Sequence, residues 1–134
     1  MKVHGSCHCG SVKYEADIDP DKVGLCNCSD CQTLTGTVFR VSVPAPSETF
    51  RLLSGQLTTY VKTADSGTKR AQAFCADCGS PIYAAAPESP TVFSLRLGSI
   101  RQRAQLVPKR QIWCSSALPW ALDVAKIPMV AGQK

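Results

Sequence analysis

No stretch of this 134-residue chain approaches the roughly 18 consecutive apolar residues of a membrane-spanning helix, so no membrane span is expected. The opening Met1-Lys2-Val3-His4-Gly5-Ser6 runs into Cys7 without an apolar export segment, which points to a reduced, cytoplasmic setting. No basic block exceeds Lys69-Arg70 and Lys109-Arg110, so nucleic-acid binding is not expected. Internal repeats and low-complexity tracts are missing, which sets aside solenoids and linker-like chains. Helical periodicity is scarce as well.

Cysteine, glycine and proline are plentiful: eight, nine and nine residues. Short Val/Thr/Ser stretches broken by glycine and proline indicate an irregular, mainly β protein, and the length suits one domain over 1–134. Strands are expected near 11–16, 38–43, 50–53, 57–62, 69–74, 81–86 and 92–97. Pro44-Ala45-Pro46-Ser47 and Ser54-Gly55 read as breakers between them. A short helix is expected after Cys28, capped by Ser29 or Asp30 and ended by Gly36. Beyond Gly98 the pattern loosens into a segment that wraps the body, with Trp113 and Trp120 as core or pocket wall.

The chemistry concentrates in three cysteine motifs. Cys26-Asn27-Cys28-Ser29-Asp30-Cys31 places three thiols within six residues. A tetrahedral zinc with Zn–S near roughly 2.3 Å needs its sulfurs only about 3.8 Å apart, which this spacing can supply. Three protein donors leave one position for a reactant, the feature that separates a reactive zinc from a structural one. The same residues also fit a closed site completed by His4, His8 or Cys114, a redox dithiol across Cys28-x-x-Cys31, or plain buried cysteines. The redox reading lacks the surrounding βαβ pattern.

Cys7-x-Cys9 and Cys75-x-x-Cys78 are each half a tetrahedron, and together make a closed four-thiolate zinc site. Closing that long loop through metal can supply much of a small domain's folding free energy. Disulfides are the rival, but a Cys7–Cys9 bond would be strained and the expected compartment is reducing. His8, between two ligands, points away from them. Cys114 is expected to be a buried spare that ligates nothing. The formal charge of +5 also shrinks on this reading: seven thiolates subtract seven and two zinc ions return four, leaving +2.

The run Gly5-Ser6-Cys7-His8-Cys9-Gly10-Ser11-Val12 is followed by Cys26-x-Cys28-Ser29-x-Cys31 and by Phe74-Cys75-x-x-Cys78-Gly79-Ser80-Pro81-Ile82. With the ending Ile112-Trp113-Cys114-Ser115-Ser116-Ala117-Leu118-Pro119-Trp120, this pattern resembles the glutathione-dependent formaldehyde-activating enzyme family over nearly the whole chain. The resemblance implies a β-tent fold, several small coiled antiparallel sheets around zinc with one or two short helices. It implies structural zinc on Cys7, Cys9, Cys75 and Cys78, and catalytic zinc on Cys26, Cys28 and Cys31. The implied activity is a carbon–sulfur lyase reaction, reversible addition of the glutathione thiol to formaldehyde or a related aldehyde. The alternative is a non-catalytic binding module with both zinc sites structural.

Two residues depart from the family's pattern. Gln32 stands where many relatives carry a basic residue, and Gln111 where histidine is usual. Arg40, Lys109 and Arg110 are then the cations available for a glutathione carboxylate, and Lys109-Arg110 otherwise reads as a solvated face. Gln32 can donate to a carboxylate without adding charge. Weak glutathione binding, with little preference over simpler thiols, is therefore expected.

Overall fold

The computed structural model describes residues 1–133. The chain is mainly β, as its composition indicates. Its strands are β1 (Lys2–Ser6), β2 (Lys13–Asp17), β3 (Gly24–Cys26), β4 (Arg40–Pro46), β5 (Arg51–Ser54) and β6 (Leu57–Thr63). They continue with β7 (Lys69–Cys75), β8 (Pro81–Ala85), β9 (Val92–Arg96) and β10 (Arg110–Ile112). One α-helix, α1 (Ser29–Thr35), interrupts the series.

The strands form a three-stranded sheet in the order β1-β2-β5 and a seven-stranded sheet in the order β10-β3-β4-β9-β8-β7-β6. All pairs are antiparallel except β10 with β3. β3 and β10 have three residues each and show no alternating pattern, so neither was legible in the sequence. β4 continues through Pro44 and ends at Pro46, within the expected break but later than its first proline. β3 pairs with β4 no further than Ser42, so one edge of β4 is open beyond that point and tolerates prolines.

Strand alternation gives the large sheet two unlike faces. The register Val43↔Leu95 and Leu95↔Tyr83 aligns apolar side chains on one face, with Ala45↔Phe93 alongside. This face meets Val3, Tyr14 and Ala16 of the small sheet, with Val12 just ahead of β2, to form the core. Phe50 joins it, stacked on Tyr14 at 5.1 Å and edge-on to Phe93 at 5.0 Å, contacts worth about 0.5–1.5 kcal/mol each beyond simple burial. Buried Tyr14 shares a hydrogen bond with Ser99 Oγ at 2.7 Å. Its ring fills the space beside Gly5, where a Cβ would overlap it, so that position admits only glycine.

The other face is polar. By the same parity it carries Cys26, Arg40, Ser42 and Arg96, followed by Gln72, Arg70 and Lys62. The C-terminal segment lies over the surface in 3-10 turns, Cys114–Ser116 and Pro119–Lys126. Trp113 and Trp120 are 62% and 55% exposed, which corrects their expected place in the core or a pocket wall.

Candidate functional site

Cys7 and Cys9 come from the turn between β1 and β2, while Cys75 ends β7 and Cys78 lies in the turn that leads to β8. Glycines with positive φ, Gly10 and Gly79, let both turns close tightly. The four sulfurs all lie within 4.8 Å of one another, with Cys7–Cys9 at 3.5 Å and Cys9–Cys75 at 3.8 Å. Backbone N–H groups donate to these sulfurs: Val12 to Cys7 at 3.2 Å and Asp77 to Cys75 at 3.4 Å. The Ser80 hydroxyl, then backbone N–H groups at Cys9 and Ser80, bring the Cys78 thiol down to about 5. All eight cysteines are free, so this cluster is not a pair of disulfides. Four converging thiols with amide donors on the sulfurs form a set that could hold a metal ion.

The second cluster is built locally. Cys26 ends β3, Cys28 caps α1, and Cys31 lies in the helix's first turn. The cap is the Cys28 thiol itself, which accepts from the Cys31 N–H at 3.3 Å, rather than Ser29 or Asp30. Gly36 in the left-handed region ends the helix as expected. The three sulfurs lie within 4.8 Å of one another, and no fourth His, Cys, Asp or Glu joins them among the described residues.

Charge in this cluster is shared unequally. Burial, reinforced by the two neighbouring thiols, pushes Cys26 up to about 12. Burial also acts to raise Cys28, but the Cys31 N–H, the neighbouring thiols and the Lys62 charge outweigh it and bring the group down. Such a trio cannot be fully ionised without a cation among the sulfurs, and its donor chemistry fits a thiophilic metal.

Cations surround the trio. Lys62 Nζ donates to Asp30 Oδ2 at 2.8 Å, tying β6 to α1. Arg96 donates to Ser42 Oγ at 2.9 Å and Gln72 Oε1 at 2.6 Å. Burial, then the charges of Arg40 and Arg70, bring the Arg96 guanidinium down to about 9. A cavity of about 730 Å³ opens on Cys26 and Cys31, with Arg40, Arg96, Lys109 and Arg110 in its walls.

Residues 2–116 match the family model described as "Glutathione-dependent formaldehyde-activating enzyme". The chain belongs to that family. A solved structure of a Rhodobacter sphaeroides protein shares the fold with a TM-score of 0.62 at 22% identity, covering 83% of this chain and 99% of that one. Both clusters lie within the span that matches the formaldehyde-activating family.

Seen in the family's terms, the seven cysteines of the three motifs fall into two groups, split as the spacing indicates. Cys114 belongs to neither and is exposed, not buried, because its 3-10 turn lies on the surface. His8 lies outside both groups, its backbone N–H donating to Ser80 Oγ at 3.0 Å. Gln32 does not face a ligand: its amide donates to Asn27 O at 2.8 Å and Ser116 O at 3.0 Å, strapping the tail to the thiol loop. Buried Asn27 completes the strap by donating to Ile112 O at 3.2 Å and Gln111 Oε1 at 3.4 Å. Asn27, Lys62 and Arg96 were missed from the sequence. Lys62 and Arg96 reach the site only through strand register, for which the sequence carries no local signal.

Proposed function

We propose that residues 1–134 form a zinc enzyme of the carbon–sulfur lyase type, with structural zinc on Cys7, Cys9, Cys75 and Cys78 and a reactive zinc on Cys26, Cys28 and Cys31. Its reaction is reversible addition of a small thiol, glutathione in the family's description, to formaldehyde or a related aldehyde. The sulfur–carbon bond forms, the carbonyl π bond opens, and the thiol proton ends on the new hydroxyl.

The observation that carries this reading is the unequal donor count. One cluster has four convergent thiols; the other has three, beside a cavity of about 730 Å³. Bound in the three-thiol cluster, a zinc ion supplies a positive site that favours the deprotonated form of an incoming thiol. The chain's own residues do the rest. Three cysteinates around Zn²⁺ carry a net −1, and a further thiolate deepens it, so nearby positive charge is required. Lys62, Arg40 and Arg96 provide it from three different strands. The cavity walls bring the two reactants together, which by itself can supply much of the acceleration.

The test is exchange spectroscopy on the isolated protein with glutathione and ¹³C-formaldehyde. Faster exchange between the free and S-hydroxymethyl forms, absent in Cys28→Ser, supports the activity. Equal rates with and without protein favour the alternative, a binding module whose zinc sites are both structural, and so does a fourth protein ligand on the second metal.

A further inference from the structure

The polar face of the large sheet holds more positive charge than the three-thiol centre can use. Arg40 pairs directly with Cys26 across β3 and β4, so their side chains leave the same face about 5 Å apart at the backbone. Arg40 is only 7% exposed, and its Nε has no hydrogen-bond partner among the described residues. It also makes no ion pair among them, because the carboxylates in such pairs are Glu15, Asp30 and Asp123. Arg96 is held only by the neutral Ser42 and Gln72.

Burying a guanidinium without an anion is costly, and two side by side are more so. A zinc trithiolate would contribute one negative charge and an incoming thiolate a second, which answer the two arginines, and Lys62 already answers Asp30. Lys22, Lys109 and Arg110 in the same cavity face only Asp21, so positive charge is still in excess. Formaldehyde is neutral and cannot offset it.

Both cavities of this region share Arg40 and Arg96. The one on the thiols adds Lys22, Lys109 and Arg110 against a single acid, Asp21. The other, of about 820 Å³, adds Lys13, Arg101 and Arg103 and has no acid among its described lining residues. An arginine fork matches a planar carboxylate with two parallel hydrogen bonds, and Arg40 lines both cavities without an ion pair among the described residues.

We infer that Arg40, backed by Arg96, is the carboxylate receptor of the three-thiol site, and that one reactant taken there is an anion carrying a carboxylate close to its reacting atom. This rests on the proposed thiol addition and deepens it by naming the charge of the substrate. It also reverses the expectation of little preference among thiols, which assumed that no cation is fixed near the site. The carboxylate belongs either to the thiol or to the carbonyl compound.

The test is calorimetry on the metal-loaded protein, at matched thiolate or aldehyde concentration, with pairs in which the carboxylate is replaced by a neutral group: mercaptoacetate against mercaptoacetamide, and glyoxylate against methyl glyoxylate. At least one acid should bind about tenfold to a hundredfold more tightly than its neutral partner, the range expected of a charge-assisted hydrogen bond. The pair that shows the preference identifies the reactant bearing the carboxylate. Arg40→Gln should bring that ratio close to one, and Arg40→Lys should restore it only in part. A further arm needs no variant: acetate should compete with the preferred acid and not with its neutral partner. A ratio near one in both pairs, or a preference that survives Arg40→Gln, overturns the inference while leaving thiol addition standing. Failure of every thiol to bind removes the proposed function, and the inference with it.

Discussion

The two cysteine clusters use the same donor atom for opposite ends. The four-thiol cluster joins turns 66 residues apart and ties the small sheet to the large one. The three-thiol cluster spans six residues and ties together almost nothing that the helix cap and strand β3 do not already hold. A metal in the first closes a long loop, so its binding energy becomes folding energy. On the proposed reading, metal in the second comes and goes above a fold that persists. Surroundings do not separate them, since amide N–H groups donate to sulfurs of both and a cavity with cations in its walls reaches each; donor count and span along the chain do.

The sharpest way to break that contrast is to remove one thiol from each cluster. Cys75→Ser should abolish folding, because the apparent binding energy of a structural zinc, about 10–16 kcal/mol, matches or exceeds the stability of a typical domain. Thermal unfolding and soluble yield check this. A Cys75→Ser protein with a cooperative transition near that of the parent would remove the structural role.

Next in size, Cys28→Ser should fold, keep one metal and lose the other. Mild chelation of the parent should reproduce that pattern, releasing the three-thiol ion first. Metal analysis alongside circular dichroism decides. Simultaneous loss of both ions with unfolding would make the clusters equals.

Lys62→Met should sharpen the comparison without touching a ligand. With its charge gone the Cys28 thiolate is less favoured, so retention of the labile metal should fall about tenfold and require higher pH. The four-thiol metal should not respond. Competition against a chromophoric chelator across the neutral range measures both sites.

Smallest of all, Cys114→Ala should leave metal content unchanged and shift stability by less than about 0.5 kcal/mol, as befits an exposed side chain. Loss of metal in this variant would make Cys114 a ligand and close the second cluster.

What could be read in advance follows from distance along the chain. The three-thiol cluster was legible because its spacing is local, and the four-thiol cluster because its two local halves each lack what the other supplies; the helix end at Gly36 is local as well. Cys28 as the cap was not foreseen, since serine and aspartate are the usual caps and both follow it directly. The strands with clear alternation were found, but β3 and β10 exist only because their neighbours pair with them. Pro44 misled for the same reason: whether a proline breaks a strand depends on which edge is covered. Arg40 was one of three cations named without a place, and Lys62 and Arg96 were not named at all. Their convergence is a product of register across six strands, β3, β4, β9, β8, β7 and β6. Trp113 and Trp120 show the converse error, because large aromatics suggest burial and these two lie on the surface.

The central claim is that the three-thiol centre takes an added thiol and the four-thiol centre does not. Cobalt substitution tests it most directly, since the ligand-field bands report each change in the donor set. Titration with mercaptoethanol and then glutathione should give a saturable spectral change in the parent. The change should be missing from Cys28→Ser, whose remaining cobalt stays in an unaltered four-sulfur environment. Bands that do not move with any thiol would contradict the account.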